Sequence, residues 1–188
     1  YSIWCGLCGV SVLNEDGGDD LDRMGRFGLG CGMFGAGVLI DRNGCDHYVG
    51  GTFVQGAGAF GFGLLIDKEG NDSYEAQLHS QGFGFTWGLG AIVELGGNDT
   101  YSAAGAFVDV LRYDDHFETL SQGCGLGIRP FASGGNGGIA EAKGNDSYIC
   151  CILGQGAGHR YHLGGVGDDC GRDPYASATS DTGGGRPR

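Results

Sequence analysis

The chain has 188 residues, with 43 glycines, 3 prolines, 40% hydrophobic residues and a formal net charge of −12. Glycine far above its usual share of about 7%, with so little proline, excludes collagen and proline-rich linkers, and the apolar fraction is too high for glycine-rich disorder over most of the length. The balance of 23 acidic to 11 basic residues argues against nucleic acid and anionic membrane surfaces, which are bound through basic patches, and no run of 18 apolar residues is present to insert into a bilayer.

In chain order, the sequence begins at Tyr1 inside a repeat, as expected of a processed or truncated product. Cys5-Gly6-Leu7-Cys8 is a CxxC, but no second pair or paired histidines supply the four ligands of structural zinc. Eight cysteines instead favour disulfides in an oxidising compartment, and with it an extracellular or cell-surface location. From Gly18 onward a repeat is legible. Its Gly-x-Asp-x-Tyr marker starts at Gly18 (with Asp22 in place of Tyr), Gly44, Gly70, Gly97, Gly144 and Gly171, at spacings of 26, 26, 27, 47 and 27 residues. A second marker, Gln-Gly-x-Gly, keeps phase at Gln55, Gln81, Gln122 and Gln155, with Leu29-Gly30-Cys31-Gly32 as its earlier form.

Between the markers stand GAGVLID, GFGLLID, LGAIVEL and NGGIAEA. These blocks are short, partly β-branched and bounded by Gly-Asn-Asp turns, which is strand-like, while glycine interrupts every turn a helical repeat would need. One block per repeat stacking on the next predicts an all-β fold, a parallel β-solenoid of about 26–27 residues per coil over residues 1–176. Val38-Leu39-Ile40, Leu64-Leu65-Ile66 and Ala91-Ile92-Val93 are the expected core ladder. An Asn or Asp in each turn is expected to bond nearby backbone amides as Asx-turns do. The 47-residue step predicts one coil with about twenty extra residues, at about 102–121 and 127–137, and residues 177–188 read as a flexible tail.

The Gln-Gly-x-Gly and Gly-Asn-Asp-x-Tyr markers resemble those of secreted bacterial glycine-rich repeat proteins, over roughly residues 15–175. Gly-Gly-Asn-Asp-Thr-Tyr at 96–101 more weakly resembles the calcium repeats of hemolysin-type (RTX) proteins, although those recur every nine residues and this turn occurs once per coil. The first resemblance implies a secreted solenoid, and the second implies calcium at the turns.

The residues themselves offer several candidate sites. Carboxylates five residues apart recur as Asp41 and Asp46, Asp67 and Asp72, Glu94 and Asp99, Glu141 and Asp146, and Asp168 and Asp173. Stacked at coil spacing these repel, and calcium, which takes oxygen ligands, relieves that; the plainer reading has each capping its own turn in water. Asn71, Asn98 and Asn145 head N-x-Ser/Thr sequons at one repeat position, candidate glycosylation sites in a eukaryotic secreted protein. The tyrosine ladder (Tyr48, Tyr74, Tyr101, Tyr148, Tyr175) reads as packing or as a stacking platform for a polysaccharide, and the glutamine ladder as amide chains along the rod.

In the insertion, Asp109, Arg112, Tyr113, Asp114, Asp115, His116 and Glu118 gather around a stretch whose Val110, Phe117 and Leu120 sit near helical spacing. Asp114, Asp115 and His116 are the candidates for acid–base or metal chemistry, against a solvated loop. No nucleophile elbow, phosphate loop or dinucleotide fingerprint accompanies them. Cys5 and Cys31 lie one coil apart, about 4.8 Å between Cα atoms, a spacing that predicts a disulfide across adjacent coils.

The sequence thus predicts an extracellular structural or adhesive solenoid that self-associates into a filament or surface layer. A calcium-binding secreted module is the alternative, and a polysaccharide-active enzyme using the insertion is the third reading. Calcium is the one cofactor these readings invoke.

Overall fold

Each repeat spends its residues on three short extended segments separated by sharp bends, and the bends come from residues held in left-handed backbone. Gln55 (φ 53) followed by Gly56 (φ 72), and Gln81 (φ 53) followed by Gly82 (φ 71), fold the chain from one side of the coil to the next. The second of each pair must be glycine, since a Cβ at Gly82 would lie 2.1 Å from the Gly138 carbonyl oxygen of the neighbouring coil. The computed structural model describes residues 4–103, 106–110, 116–128, 130–132, 134–158, 163–168 and 172–177.

The first coil contains β1 (Cys5–Leu7), β2 (Val10–Asn14) and β3 (Leu21–Arg26), and the second β4 (Cys31–Met33), β5 (Ala36–Ile40) and β6 (His47–Thr52). The third has β7 (Gly58–Ala59), β8 (Phe62–Asp67) and β9 (Ser73–Ala76), and the fourth β10 (Gly84–Phe85), β11 (Leu89–Glu94) and β12 (Thr100–Ala103). The fifth has β13 (Gly125–Leu126), β14 (Asn136–Glu141) and β15 (Ser147–Cys150), followed by β16 (Leu163–Asp168) and β17 (Tyr175–Ser177). Equivalent strands pair in parallel, giving one sheet of five strands (β1-β4-β7-β10-β13) and two of six (β2-β5-β8-β11-β14-β16 and β3-β6-β9-β12-β15-β17). The fold is the parallel β-solenoid that the repeat spacing predicts.

Register follows the sequence markers residue for residue: Leu39 pairs with Leu65, Leu65 with Ile92, Ile92 with Ile139, and Tyr48 with Tyr74, Tyr101 and Tyr148 in turn. Of each aliphatic triplet only the central residue is buried (Leu39, Leu65, Ile92), and its two neighbours are half-buried. Strand alternation is the reason: successive side chains point to opposite faces, so one of three enters a narrow interior. The extra residues of the long repeat fall between β12 and β13 and between β13 and β14. There, antiparallel bridges join Val108 to Phe117 and Ile128 to Ala132. The stretch with near-helical spacing is therefore not helical where it is described; Asp109 N–H donates to the His116 carbonyl across the first bridge.

The predicted disulfide does not form. Cys5 and Cys31 are register partners, but both are free thiols, hydrogen-bonded to one another. Equal register alone does not bring two sulfurs together: parallel strands hold equivalent residues at about the strand spacing of 4.8 Å, and a disulfide also needs Cβ atoms within about 3.5–4.5 Å.

Candidate functional site

Alternation along the second sheet also decides where the strand-end acids go. Two residues beyond inward-facing Leu39, Leu65, Ile92 and Ile139 come Asp41, Asp67, Glu94 and Glu141, and all four are buried. The turn then brings in a second acid five residues later, Asp46, Asp72, Asp99 or Asp146, also buried. The expectation that these carboxylates sit at water-facing turns is overturned: both columns line the interior. Seven residues after each strand-end acid a tyrosine re-enters from the third sheet. The rings of Tyr48, Tyr74, Tyr101 and Tyr148 are buried and stacked at centroid distances of 4.9, 4.6 and 4.9 Å. Full burial excludes these four rings as a sugar platform; Tyr175, stacked on Tyr148 at 4.7 Å, is exposed.

The hydroxyls of the first three tyrosines each reach the acid of the following coil. Tyr48 donates to Asp67 Oδ2 at 2.7 Å, Tyr74 to Glu94 Oε2 at 2.7 Å, and Tyr101 to Glu141 Oε1. The turn acids make a different chain. Asp72 Oδ1 accepts the Asp46 amide at 2.6 Å, Asp99 Oδ1 the Asp72 amide at 2.7 Å, and Asp146 Oδ1 the Asp99 amide at 2.7 Å. These acids thus cap the equivalent residue one coil back, not their own turn. Own-turn capping is left to the strand-end acids, as when Asp41 Oδ1 accepts Arg42 N–H at 2.6 Å.

Carboxylates accumulate along these columns with no basic side chain between them among the described residues. Arg42 pairs with Asp16 and His47 with Glu75, both at the surface, and Lys68 and Lys143 are exposed. Burial, reinforced by neighbouring carboxylates, pushes Glu94 up to about 10, Asp72 to about 8, Asp99 to about 7 and Asp46 to about 6, and raises Asp67 and Asp146 as well. Oxygens of Asp46, Asp67 and Asp72 lie within 4.8 Å of one another, as do those of Asp72, Glu94 and Asp99, and those of Asp41 and Asp46 with exposed Asp20. Three of the sequence pairs, Asp41 with Asp46, Asp67 with Asp72 and Glu94 with Asp99, are thus brought together, each joined by the turn acid of the preceding coil. No local motif marks the tyrosines as partners of the acids, but the constant seven-residue spacing from Asp41 to Tyr48, Asp67 to Tyr74 and Glu94 to Tyr101 carries that signal.

The remaining candidates are dispersed. Asn71, Asn98 and Asn145 are exposed and form their own ladder, with Asn98 Nδ2 donating to Asn71 Oδ1 at 2.9 Å and Asn145 Nδ2 to Asn98 Oδ1 at 3.0 Å. The glutamines do not bond to one another; Gln55 Nε2 donates to the carbonyls of Tyr48 at 2.7 Å and Glu75 at 2.9 Å, and Gln81 Nε2 to Tyr74 at 2.8 Å and Ser102 at 3.0 Å. Their left-handed backbone aims the amide across the coil at the third sheet, away from the next glutamine. Asp114, Asp115, Arg112, Tyr113 and Cys170 lie outside the described residues, as does the Asp168 side chain, and His116 is half-buried.

Comparison with known proteins returns no match to this chain, whether among family models, curated proteins or solved structures.

Proposed function

We propose that the protein is an extracellular structural rod that associates with further copies of itself. The observation that carries this reading is stacking of like on like across all three sides of the coil. Tyrosine lies on tyrosine, Asn on Asn and each turn acid on the amide of its counterpart. In such a lattice the edge of any coil is complementary to the edge of any other, and an open parallel edge is a template for further strands. Leu7, Val10, Val12 and Leu21 on the strands of the first coil are exposed.

Six coils at about 4.8 Å make a rod about 30 Å long. The test is sedimentation velocity and electron microscopy over a hundredfold range of protein concentration. Particles several times longer than one chain, shortened by Val12→Lys, are expected; a single species of one-chain mass at every concentration refutes the reading. Lysine on an edge strand blocks pairing because its charge cannot be buried against a second chain.

A further inference from the structure

We propose that the interior carboxylates grouped around Asp72 bind a divalent, oxygen-seeking cation, calcium, between the second and fourth coils. Asp72 belongs to both of the fully buried triplets, Asp46–Asp67–Asp72 and Asp72–Glu94–Asp99. Their mutual spacing suits such an ion. Calcium sits about 2.3–2.6 Å from each oxygen, so oxygens sharing one ion lie up to about 5 Å apart, and each triplet falls within 4.8 Å.

A second observation points to a ligand. The turn acids are no more than 2% exposed, and Oδ1 of each is spent on a backbone amide of the adjacent coil. Asp46 Oδ2, Asp72 Oδ2 and Asp99 Oδ2 are buried with no hydrogen-bond partner. One oxygen therefore fixes the side chain and the other is left buried without a partner, on acids whose carboxylates lie within 4.8 Å of two others. Buried acceptors are ordinarily satisfied, and an unsatisfied one beside other acids calls for a positive charge.

The donor set selects the ion. It is all oxygen, so zinc, which favours nitrogen and sulfur, is disfavoured. It is irregular and already carries protein bonds, so magnesium, which demands a near-ideal octahedron and keeps its waters, fits worse than calcium. This inference does not depend on whether the rods associate.

Terbium, which replaces calcium and is sensitised by nearby phenols, is the probe, because Tyr48 and Tyr74 hydrogen-bond to Asp67 and Glu94 inside the triplets. The full chain is refolded in chelator, then titrated with terbium, and its melting temperature is measured with and without calcium. In Asp72→Asn the side-chain oxygen can still accept the Asp46 amide while one charge is lost from both triplets; Glu94→Gln serves as a second variant.

Tyrosine-sensitised emission that excess calcium reverses is expected in the wild type, with terbium affinity at least tenfold weaker in Asp72→Asn. Calcium is expected to raise the melting temperature of the wild type and not of the variant. In chelator, Asp72→Asn is expected to melt no lower than the wild type. Absence of both emission and a calcium-dependent melting shift in the wild type overturns the proposal. Wild-type affinity retained in Asp72→Asn and Glu94→Gln overturns it too, placing the ion on exposed acids such as Asp19 and Asp20.

Discussion

Tyr74→Phe isolates the contribution of one cross-coil hydroxyl. The Tyr74 ring is fully buried, stacked between Tyr48 at 4.9 Å and Tyr101 at 4.6 Å, and its hydroxyl donates to Glu94 Oε2 at 2.7 Å. Phenylalanine preserves the stack and the packing, and removes only the donor. Glu94 is left with a buried oxygen that has lost its partner, which costs about 1–3 kcal/mol. For a chain of this size that corresponds to a fall of about 3–10 °C in melting temperature. Tyr74→Leu also removes both ring contacts, each worth about 0.5–1.5 kcal/mol beyond burial, and is expected to melt lower still. Thermal unfolding followed by circular dichroism, at fixed calcium and pH, reads both. A Tyr74→Phe protein within about 0.5 kcal/mol of the wild type, or one as damaged as Tyr74→Leu, refutes the claim that the hydroxyl ties one coil to the next.

Two further predictions follow from other ladders. The His79 ring lies tilted against Phe83 at 4.7 Å, and burial lowers its pKa to about 4. The unfolded chain takes up a proton below about 6.5 that the folded one refuses until about 4, so stability falls as pH drops through that window, by about 2–3 kcal/mol at pH 4.5. Phe27 and Phe53 hold the same ladder position at φ 54 and 56, against 52 for His79; His79→Phe is therefore expected to gain on the wild type by that amount between pH 7 and 4.5, in denaturant titrations at the two pH values. At adjacent glycines, Gly96→Ala meets nothing within 4 Å and is expected to change stability by less than about 0.5 kcal/mol. In Gly97→Ala the new Cβ would lie 2.0 Å from the Gly70 carbonyl oxygen, so a loss above about 2 kcal/mol is expected in the same titration.

The architecture was legible because a parallel solenoid turns sequence phase directly into register. The spacing of Gly44, Gly70 and Gly97 sets Tyr48, Tyr74 and Tyr101 on one ladder with no further information. The site was harder to read, for a definite physical reason. An aspartate that closes Leu-Leu-Ile-Asp and precedes Gly-Asn-Asp has turn chemistry, and its local context says water. Counting strand alternation onward from buried Leu65 places Asp67 inside, and Asp72 follows it there because its partner is an amide 26 residues back. That bond has no local signature. Neither did the geometry that keeps Cys5 and Cys31 apart, since equal phase assures adjacency but not the closer Cβ approach of a disulfide.

Stacking equal positions multiplies every contact by the number of coils, and the ladders differ in how they bear it. Tyrosine on tyrosine, Asn on Asn and Gln on backbone carbonyls gain with each added coil, because each pairs a donor with an acceptor or an apolar face with another. Carboxylate on carboxylate does the reverse. Two ionised acids at the 4.8 Å of these triplets repel by about 3–4 kcal/mol at an effective dielectric constant near 20. A few such pairs consume the 5–15 kcal/mol of net stability typical of a folded domain. The column therefore stands only when neutralised. Protons do this for Glu94, held up to about 10, but do it poorly at neutral pH for Asp46, held near 6, whose Oδ2 is buried without a partner. A cation at Asp72 neutralises the same carboxylates, Asp46 among them, by positive charge rather than by protons. It also bridges oxygens of adjacent coils, Asp72 with Asp46 in one triplet and with Asp99 in the other, converting the one ladder that opposes stacking into one that enforces it.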